Sequence, residues 1–472
     1  MRKISSRSFM IFIMTLAFFA GLAYHTVNLI VHSSEWITHP MNENIPSSYG
    51  LEYAGKILDR NGVVLAQSID KKRVYNEDEE TRKACVHVVG DSSVNISTAI
   101  QTVYRTRLTD NSFTGSFVFG LGLPGLFKPQ DDIVTSGNDF TLTIDSRLQK
   151  TAVEALGSYK GAAFVYNYKT GEILCMVSTP VYDPQNIPED IETNPDYDGA
   201  YLNRALLAAY PPGSTFKLIT ANAALNEIPD IEQSVYNCSG KDTVGDGEIV
   251  CFEPNGRVDM KEALAQSCNV YFAKLAAALG KEKMTYYAQK AGFNSHLEFD
   301  GIESADSVYK VAEATENELG WSGVGQYTVL ETPVNMAVIS AAIANGGTPV
   351  MPYLINSING KSSNSVTLGN EIMNKTSADK IADMMSYTVN YSYGKDYVCP
   401  SLDVCAKTGT AEVSDDGLAH AWVTGFSRDE DCPLAFSIIL EYGNYSYAVA
   451  LPAANKILTR AAELYKTSSY YF

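Results

Sequence analysis

The stretch "AAYPPGSTFKLITANAAL", residues 208–225, holds one charged side chain, Lys217, three residues after Ser214. Phe216, Leu218, Ile219, Ala221, Ala223, Ala224 and Leu225 point in almost every direction around a helix, and a helix that is apolar all round is normally buried. Pro211 and Pro212 cannot continue a helix from upstream and Gly213 permits a tight entry, so the helix is predicted to begin at Ser214, where a cap is expected. Residues three apart share a helix face, which puts the Lys217 amine within reach of the Ser214 hydroxyl. A hydroxyl beside an amine that burial discourages from carrying charge is a pair suited to nucleophilic chemistry. The bland alternative is a capping serine followed by a lysine that snorkels to the surface. This stretch alone leaves both open.

Two other clusters have side chains that could join such a pair. Ser267-Cys268-Asn269 stands just before the helical run "VYFAKLAAALG", which is expected to end at Gly280. Polar residues in that place ordinarily cap. Lys407-Thr408-Gly409-Thr410 falls on a predicted strand, and a glycine inside a strand weakens it unless another backbone or a ligand must approach closely.

The surrounding elements suggest what positions these residues. "GKILDRNGVVLAQS", residues 55–68, alternates about Asn61-Gly62 and reads as a hairpin. Residues 70–138 are mixed, with a Gly-rich segment, "GSFVFGLGLPGLFKP", and read as a small module or stalk. "DFTLTIDSRLQKTAVEAL" reads as a strand from Phe140 to Ile144, an Asp145 cap and an amphipathic helix. In "GAAFVYNYKTGEILCMVS" two strands flank a Lys169-Thr170-Gly171 turn, a second KTG with no catalytic meaning. "TPVNMAVISAAIANGG" has a Thr cap, Pro at the first helical position and an Asn-Gly-Gly terminator. Strands at 404–413, 419–427 and 434–442 and a helix at 452–466 follow. Strands at both ends with helices between them predict an α+β domain with a mainly antiparallel sheet.

At 472 residues the chain can form two domains, and its net charge of -18, with no basic stripe, argues against a nucleic-acid partner. Arg2, Lys3 and Arg7 precede an almost charge-free stretch, Phe9 to Val31, long enough to cross a bilayer. Basic residues on its N-terminal side predict a cytoplasmic tail, residues 1–8, and an exported remainder: a stalk module, 32–138, and a main domain, 139–472. A signal peptide cleaved near Gly21-Leu22-Ala23 is the alternative. Of eight cysteines in an exported chain, Cys238 and Cys251 flank a Gly/Asp-rich loop that a disulfide would stabilise by roughly 3 kcal/mol. Cys399 and Cys405 are a second close pair. No CxxC or clustered His/Cys spacing calls for a metal, and no cofactor motif is present.

SxxK, SxN and KTG in this order are signatures of penicillin-binding proteins and serine β-lactamases. Further segments, among them "DRNGVVLAQS", "GEILCMVSTPVYDPQ", "NRALLAAYPPGSTFK", "GVGQYTVLETPVNMAVISAAIANGG" and "AKTGTAE…AHAWVTGF", resemble class B penicillin-binding proteins, the membrane-anchored peptidoglycan D,D-transpeptidases. The short N-terminal module is similar to that of the compact, penicillin-binding protein A-like members. The resemblance implies a penicillin-binding/serine β-lactamase-like fold and a role for each motif residue. Ser214 is the expected nucleophile on the carbonyl of a D-Ala-D-Ala stem peptide. Lys217, neutral, is the expected base; burial and the nearby cation Lys407 both favour that state. Ser267 is expected to relay a proton, Asn269 to bond the acyl donor, and Lys407 and Thr408 to hold the substrate carboxylate. Gly409 is expected to leave room for a peptide along the strand edge. The N–H groups of Ser214 and Thr410 are expected to form the oxyanion hole.

The resemblance further implies β-lactams as covalent inhibitors, a possible D,D-carboxypeptidase side reaction, and a polytopic membrane glycan polymerase as partner. Asn255-Gly256 stands where many relatives have His-Gly, and is left without a role. Two rival readings are a β-lactamase, for which "ENELG" (316–320) resembles a deacylating-glutamate segment, and a non-catalytic sensor or scaffold in wall synthesis.

Overall fold

The computed structural model describes residues 2–31, 51–109, 137–362, 366–413 and 417–467. The Gly-rich segment 115–129 lies outside them.

A five-stranded antiparallel sheet organises the main domain. From its free edge inward it runs Val404–Glu412, Ala419–Ser427, Leu434–Leu440, Gly161–Asn167 and Ile173–Thr179. In the last four every residue is buried, because helices cover both faces. Neighbouring residues therefore serve different cores: Ile438 packs with Leu148 and Leu458 on one side, and Ile439 with Met336 and Phe216 on the other. That two-sided burial is why these strands read as continuous apolar runs and not as alternating ones. The first face is covered by Ser146–Leu156 and the final helix; Pro333–Ala344 packs on the second, and Lys217–Glu227 and Asn269–Lys290 share the core on that side. The expected α+β class with an antiparallel sheet is what the chain adopts.

Local signals act as predicted in several places. Asp145 caps its helix by accepting from the Arg147 N–H. Thr332 caps the helix that Pro333 opens and that Asn345 and two positive-φ glycines, Gly346 and Gly347, close. The Lys169-Thr170-Gly171 turn is organised by Asn167 Oδ1, which accepts both the Lys169 and the Thr170 N–H. The final helix differs: it spans Ser446–Thr467, with Pro452 inside it. A proline there forfeits its N–H bond and crowds the carbonyl four residues back, and the helix around it is held by buried Ala450, Leu451 and Ala454.

A second, six-stranded sheet runs in the order Lys361–Ser362, Ile355–Ile358, Phe140–Leu142, Ile57–Leu58, Val64–Ile69 and Lys72–Tyr75. The hairpin about Gly62 is present, yet Ile57–Leu58 also pairs in parallel with Phe140–Leu142. Backbone bonds thus cross the boundary expected at 138/139, and the hairpin is knit to strands from the main domain. Before it stands the helix Arg2–Val31, whose segment Arg7–Thr26, mean hydropathy 1.7, is long and apolar enough to cross a membrane.

Candidate active site

The site begins with a correction to the helix start. Gly213–Phe216 forms a 3-10 turn and the α-helix runs Lys217–Glu227. Pro212 already has helical dihedrals and the Ser214 hydroxyl caps nothing; Thr215 Oγ1 donates to the Pro212 carbonyl instead, at 2.9 Å. In a 3-10 turn residues i and i+3 eclipse. Lys217 therefore stands directly over Ser214, with Nζ 2.9 Å from Oγ.

Lys217 is fully buried, and three more oxygens surround its amine: Ser267 O at 2.6 Å, Asn269 Oδ1 at 2.7 Å and Ser267 Oγ at 3.1 Å. A backbone carbonyl and an amide oxygen can only accept. The two N–H bonds of a neutral amine go to them, and its lone pair is left facing the Ser214 hydroxyl. Burial lowers the Lys217 amine to about 7, against an opposing pull from the Cys268 and Cys251 thiols. Sequence reasoning credited Lys407 with part of that shift, but the cation repulsion falls on Lys407 itself. Burial and then Lys217 push Lys407 well below the usual lysine range. Its Nζ bonds Thr408 O at 2.8 Å and Ser267 Oγ at 3.2 Å, so the Ser267 hydroxyl bridges the two amines.

Ser267 holds this bridge with a left-handed backbone, φ 56°, a conformation that costs a non-glycine residue about 1–2 kcal/mol. It aims both Ser267 oxygens at one amine. The cap of the following helix is Cys268, whose sulfur accepts the Tyr271 N–H. The helix spans Asn269–Lys290 and kinks at Gly280 without ending there. Asn269 Nδ2 donates to Val250 O at 2.9 Å, which orients Oδ1 toward Lys217.

Lys407-Thr408-Gly409-Thr410 lies on the free edge of the sheet. Gly409 meets the close backbone approach that its place inside a strand suggested: a β-carbon there would stand 2.4 Å from Pro212 O and 3.0 Å from the Thr215 methyl. The close approach is by the turn that carries Ser214. Gly213, φ +54°, is reciprocal, since its β-carbon would meet Thr410 O at 2.5 Å. Turn and strand are in contact, which brings Ser214 beside exposed Thr410.

Several positioning groups were not anticipated. Trp422 Nε1 donates to Pro211 O, and Gly213 N donates to Gly325 O. Tyr393 OH accepts the Thr408 N–H and pairs with Thr408 Oγ1, each at 2.8 Å. Ser446 donates to Gly409 O and lies 3.0 Å from Thr410 Oγ1. Tyr393 and Ser446 stand within no motif, and Trp422 and Gly325, in segments quoted above, had no role assigned; only tertiary structure brings them in.

The disulfide expected between Cys238 and Cys251 is not formed: both are free thiols, with sulfurs 3.7 Å apart. Cys251 is shared, since its sulfur also lies 3.8 Å from Cys268 and accepts the Val270 N–H. Cys399 and Cys405 are likewise free. The "ENELG" segment opens the helix Glu316–Ser322; Glu316, the glutamate that the deacylating pattern would use, is exposed in its first turn, and Glu318 closes a capping box with Thr315. Glu412 is an exposed strand end.

Residues 161–459 match the penicillin binding protein transpeptidase domain model. The chain is 27% identical over 464 residues to the peptidoglycan D,D-transpeptidase PbpA of Mycolicibacterium smegmatis, covering 89% of this chain and 90% of that one. It is similar to the ceftriaxone acyl-enzyme structure of penicillin-binding protein A from M. tuberculosis, with TM-score 0.75 and 25% identity over 89% of this chain and 100% of that one. The D,D-transpeptidase domain of an Eggerthella lenta peptidoglycan glycosyltransferase gives TM-score 0.74 and 29% identity over 87% and 98%. With motif geometry, fold and all three comparisons in agreement, this chain belongs to the penicillin-binding protein transpeptidase family, among its penicillin-binding protein A-like class B members.

Proposed function

We propose that the protein cross-links peptidoglycan as a serine D,D-transpeptidase, with Ser214 as nucleophile and Lys217 as its base. The observation that carries this reading is the buried Lys217 amine 2.9 Å from Ser214 Oγ, with two pure acceptors, Ser267 O and Asn269 Oδ1, to take the N–H bonds of its neutral form. Lys217 takes the Ser214 proton as Oγ attacks the carbonyl between the terminal D-alanines. The N–H groups of Ser214 and Thr410 receive the oxyanion, and Ser267 Oγ passes the proton to the leaving amine. Burial and Lys217 disfavour charge on Lys407, and a substrate carboxylate beside it and Thr408 favours it; that charge in turn disfavours one on Lys217. An amine from a second stem peptide then resolves the acyl-enzyme. Water in its place gives carboxypeptidation, and penicillin, which resembles the D-Ala-D-Ala end, leaves a slowly released adduct.

The helix Arg2–Val31 serves as a single-pass anchor in this reading, with a cytoplasmic N-terminus, residues 32–138 as a short stalk module and the domain from 139 outside. A polytopic glycan polymerase, reached through the anchor and stalk module, supplies the strands. Full-length protein in membranes should be labelled covalently by fluorescent penicillin and the Ser214→Ala variant should not. Rapid multiple turnover of penicillin would overturn the transpeptidase reading in favour of a β-lactamase. Normal cross-linking by Ser214→Ala would favour a scaffold.

The two hydroxyls that hold the Thr408-to-Thr410 segment give a further test. Tyr393→Phe leaves the half-buried Thr408 N–H without that acceptor, and Ser446→Ala frees the Thr410 hydroxyl. Each should slow acylation roughly 5- to 10-fold, the effect of one lost hydrogen bond, through weaker binding with little change in the rate at saturation. Stopped-flow acylation over a range of penicillin concentrations separates the two.

A further inference from the structure

Three thiols with no part in the reaction described above meet beside the Lys217 pocket, where Cys268 stands between Ser267 and Asn269. Cys238 closes the strand Tyr236–Cys238, Cys251 follows the hairpin strand Gly247–Val250, and Cys268 caps the helix Asn269–Lys290. All three are buried and free. Their sulfurs lie within 4.8 Å of one another, with Cys251 Sγ 3.7 Å from Cys238 Sγ and 3.8 Å from Cys268 Sγ. No spacing in the chain announces this cluster, because its members stand 13 and 17 residues apart and come from three elements.

The arrangement is that of donors around a shared ion. A metal–sulfur bond of about 2.3 Å, at trigonal or tetrahedral angles, sets its sulfurs roughly 3.8–4.0 Å apart, so the three need little movement. The bonds around them suit thiolates. Two successive N–H groups of the helix's first turn aim at the cluster, Val270 N–H at Cys251 Sγ (3.4 Å) and Tyr271 N–H at Cys268 Sγ (3.5 Å). Such bonds, at the positive end of a 22-residue helix, favour sulfur anions and fix their direction. Among the described residues no histidine, carboxylate or fourth cysteine joins the three. Zinc in a closed site takes four ligands, whereas soft monovalent copper suits thiolates and is satisfied by three.

We propose that Cys238, Cys251 and Cys268 form a trigonal thiolate site for Cu(I). Three Cu–S bonds replace three S–H bonds, the protons leave to solvent, and no oxidation state changes. The bound ion ties the hairpin whose Val250 carbonyl holds Asn269 to the start of the helix that carries Asn269. Val250 and Phe252, on either side of Cys251, are exposed, so the site lies close beneath the surface.

Reduced full-length protein in detergent is titrated anaerobically with Cu(I) against a colorimetric Cu(I) chelator. Wild type should retain one Cu(I) per chain, and X-ray absorption should count three sulfurs around it. Cys238→Ser, Cys251→Ser and Cys268→Ser should each weaken binding by about 100-fold or more, beyond the loss of an outer-shell partner. Cys432→Ser, in the core on the other face of the sheet, should bind as wild type does. Saturating Cu(I) should raise the melting temperature of wild type and not those of the three cluster variants, whose cooperative melting shows that they fold. Failure of wild type to retain Cu(I) overturns the site, as does binding that all three serines leave unchanged. Zn(II) held in stoichiometric amount where Cu(I) is not also overturns it. A count of fewer than three sulfurs in wild type does so without recourse to any variant.

Discussion

Lys217→Arg should lose acylation by about 10^3-fold or more, close to the complete loss expected of Ser214→Ala. Arginine keeps a cation in the same place but cannot deprotonate, so the Ser214 proton has no acceptor. The guanidinium has only donors, and the pocket that holds Lys217 offers Ser267 O, Asn269 Oδ1 and two hydroxyls. Acceptors for the guanidinium are present; a lone pair is what the variant lacks. The pH profile carries the same signature. Lys217 titrates near 7, so below that pH its third N–H occupies the position the lone pair should hold. Wild-type acylation should therefore fall about tenfold per pH unit below 7 and level off above it. Stopped-flow acylation by a chromogenic β-lactam between pH 5 and 9 measures both. Fast acylation by Lys217→Arg would remove Lys217 from the role of base.

The elements of this site were legible in the chain to different degrees, and the reasons are physical. The Ser214–Lys217 contact depends on a spacing of three within one turn, so local geometry suffices, although the 3-10 form was hidden because Gly213's left-handed φ is imposed by Thr410 and Gly325. The antiparallel sheet was readable because its strands are long, apolar and closed by turn residues such as Lys169-Thr170-Gly171. Ser267 and Asn269 stand 50 and 52 residues from Lys217, and only the family's motif, not periodicity, pointed to their meeting. Tyr393 and Ser446 had no such motif. Their hydroxyls matter because an edge strand leaves backbone groups unpaired, and which side chain fills that need is decided by packing. The Cys238–Cys251 spacing suggested a bridge, but Cys268 arrives from another element and shares Cys251. For Gly409 the close approach was foreseen and the neighbour was not, because the contact with the turn at Pro212 exists only after the sheet and the helix have docked.

Gly213→Ala tests that docking most directly, and its effect should be large on both stability and rate. The φ of +54° puts an alanine in left-handed backbone at a cost of about 1–2 kcal/mol. Its methyl would also stand 2.5 Å from Thr410 O and 2.9 Å from the Thr410 carbonyl carbon, atoms of a backbone held on its far side by the Thr410–Ala421 pairing. The strand cannot yield without breaking that register, and Trp422, which holds Pro211 O, sits on the same partner strand. The turn must move instead. A shift of about 1 Å between Ser214 and Thr410 separates the two N–H groups assigned to the oxyanion and lowers acylation about 10^2-fold. Alanine at Gly417, whose β-carbon would meet nothing within 4 Å, shares the positive φ and supplies the control for strain alone. If Gly213→Ala loses no more acylation than Gly417→Ala at equal melting temperature, contact between turn and strand does not align the nucleophile. A 10^2-fold loss with the fold retained means that the glycine before the nucleophile is there for Thr410, in addition to its backbone freedom.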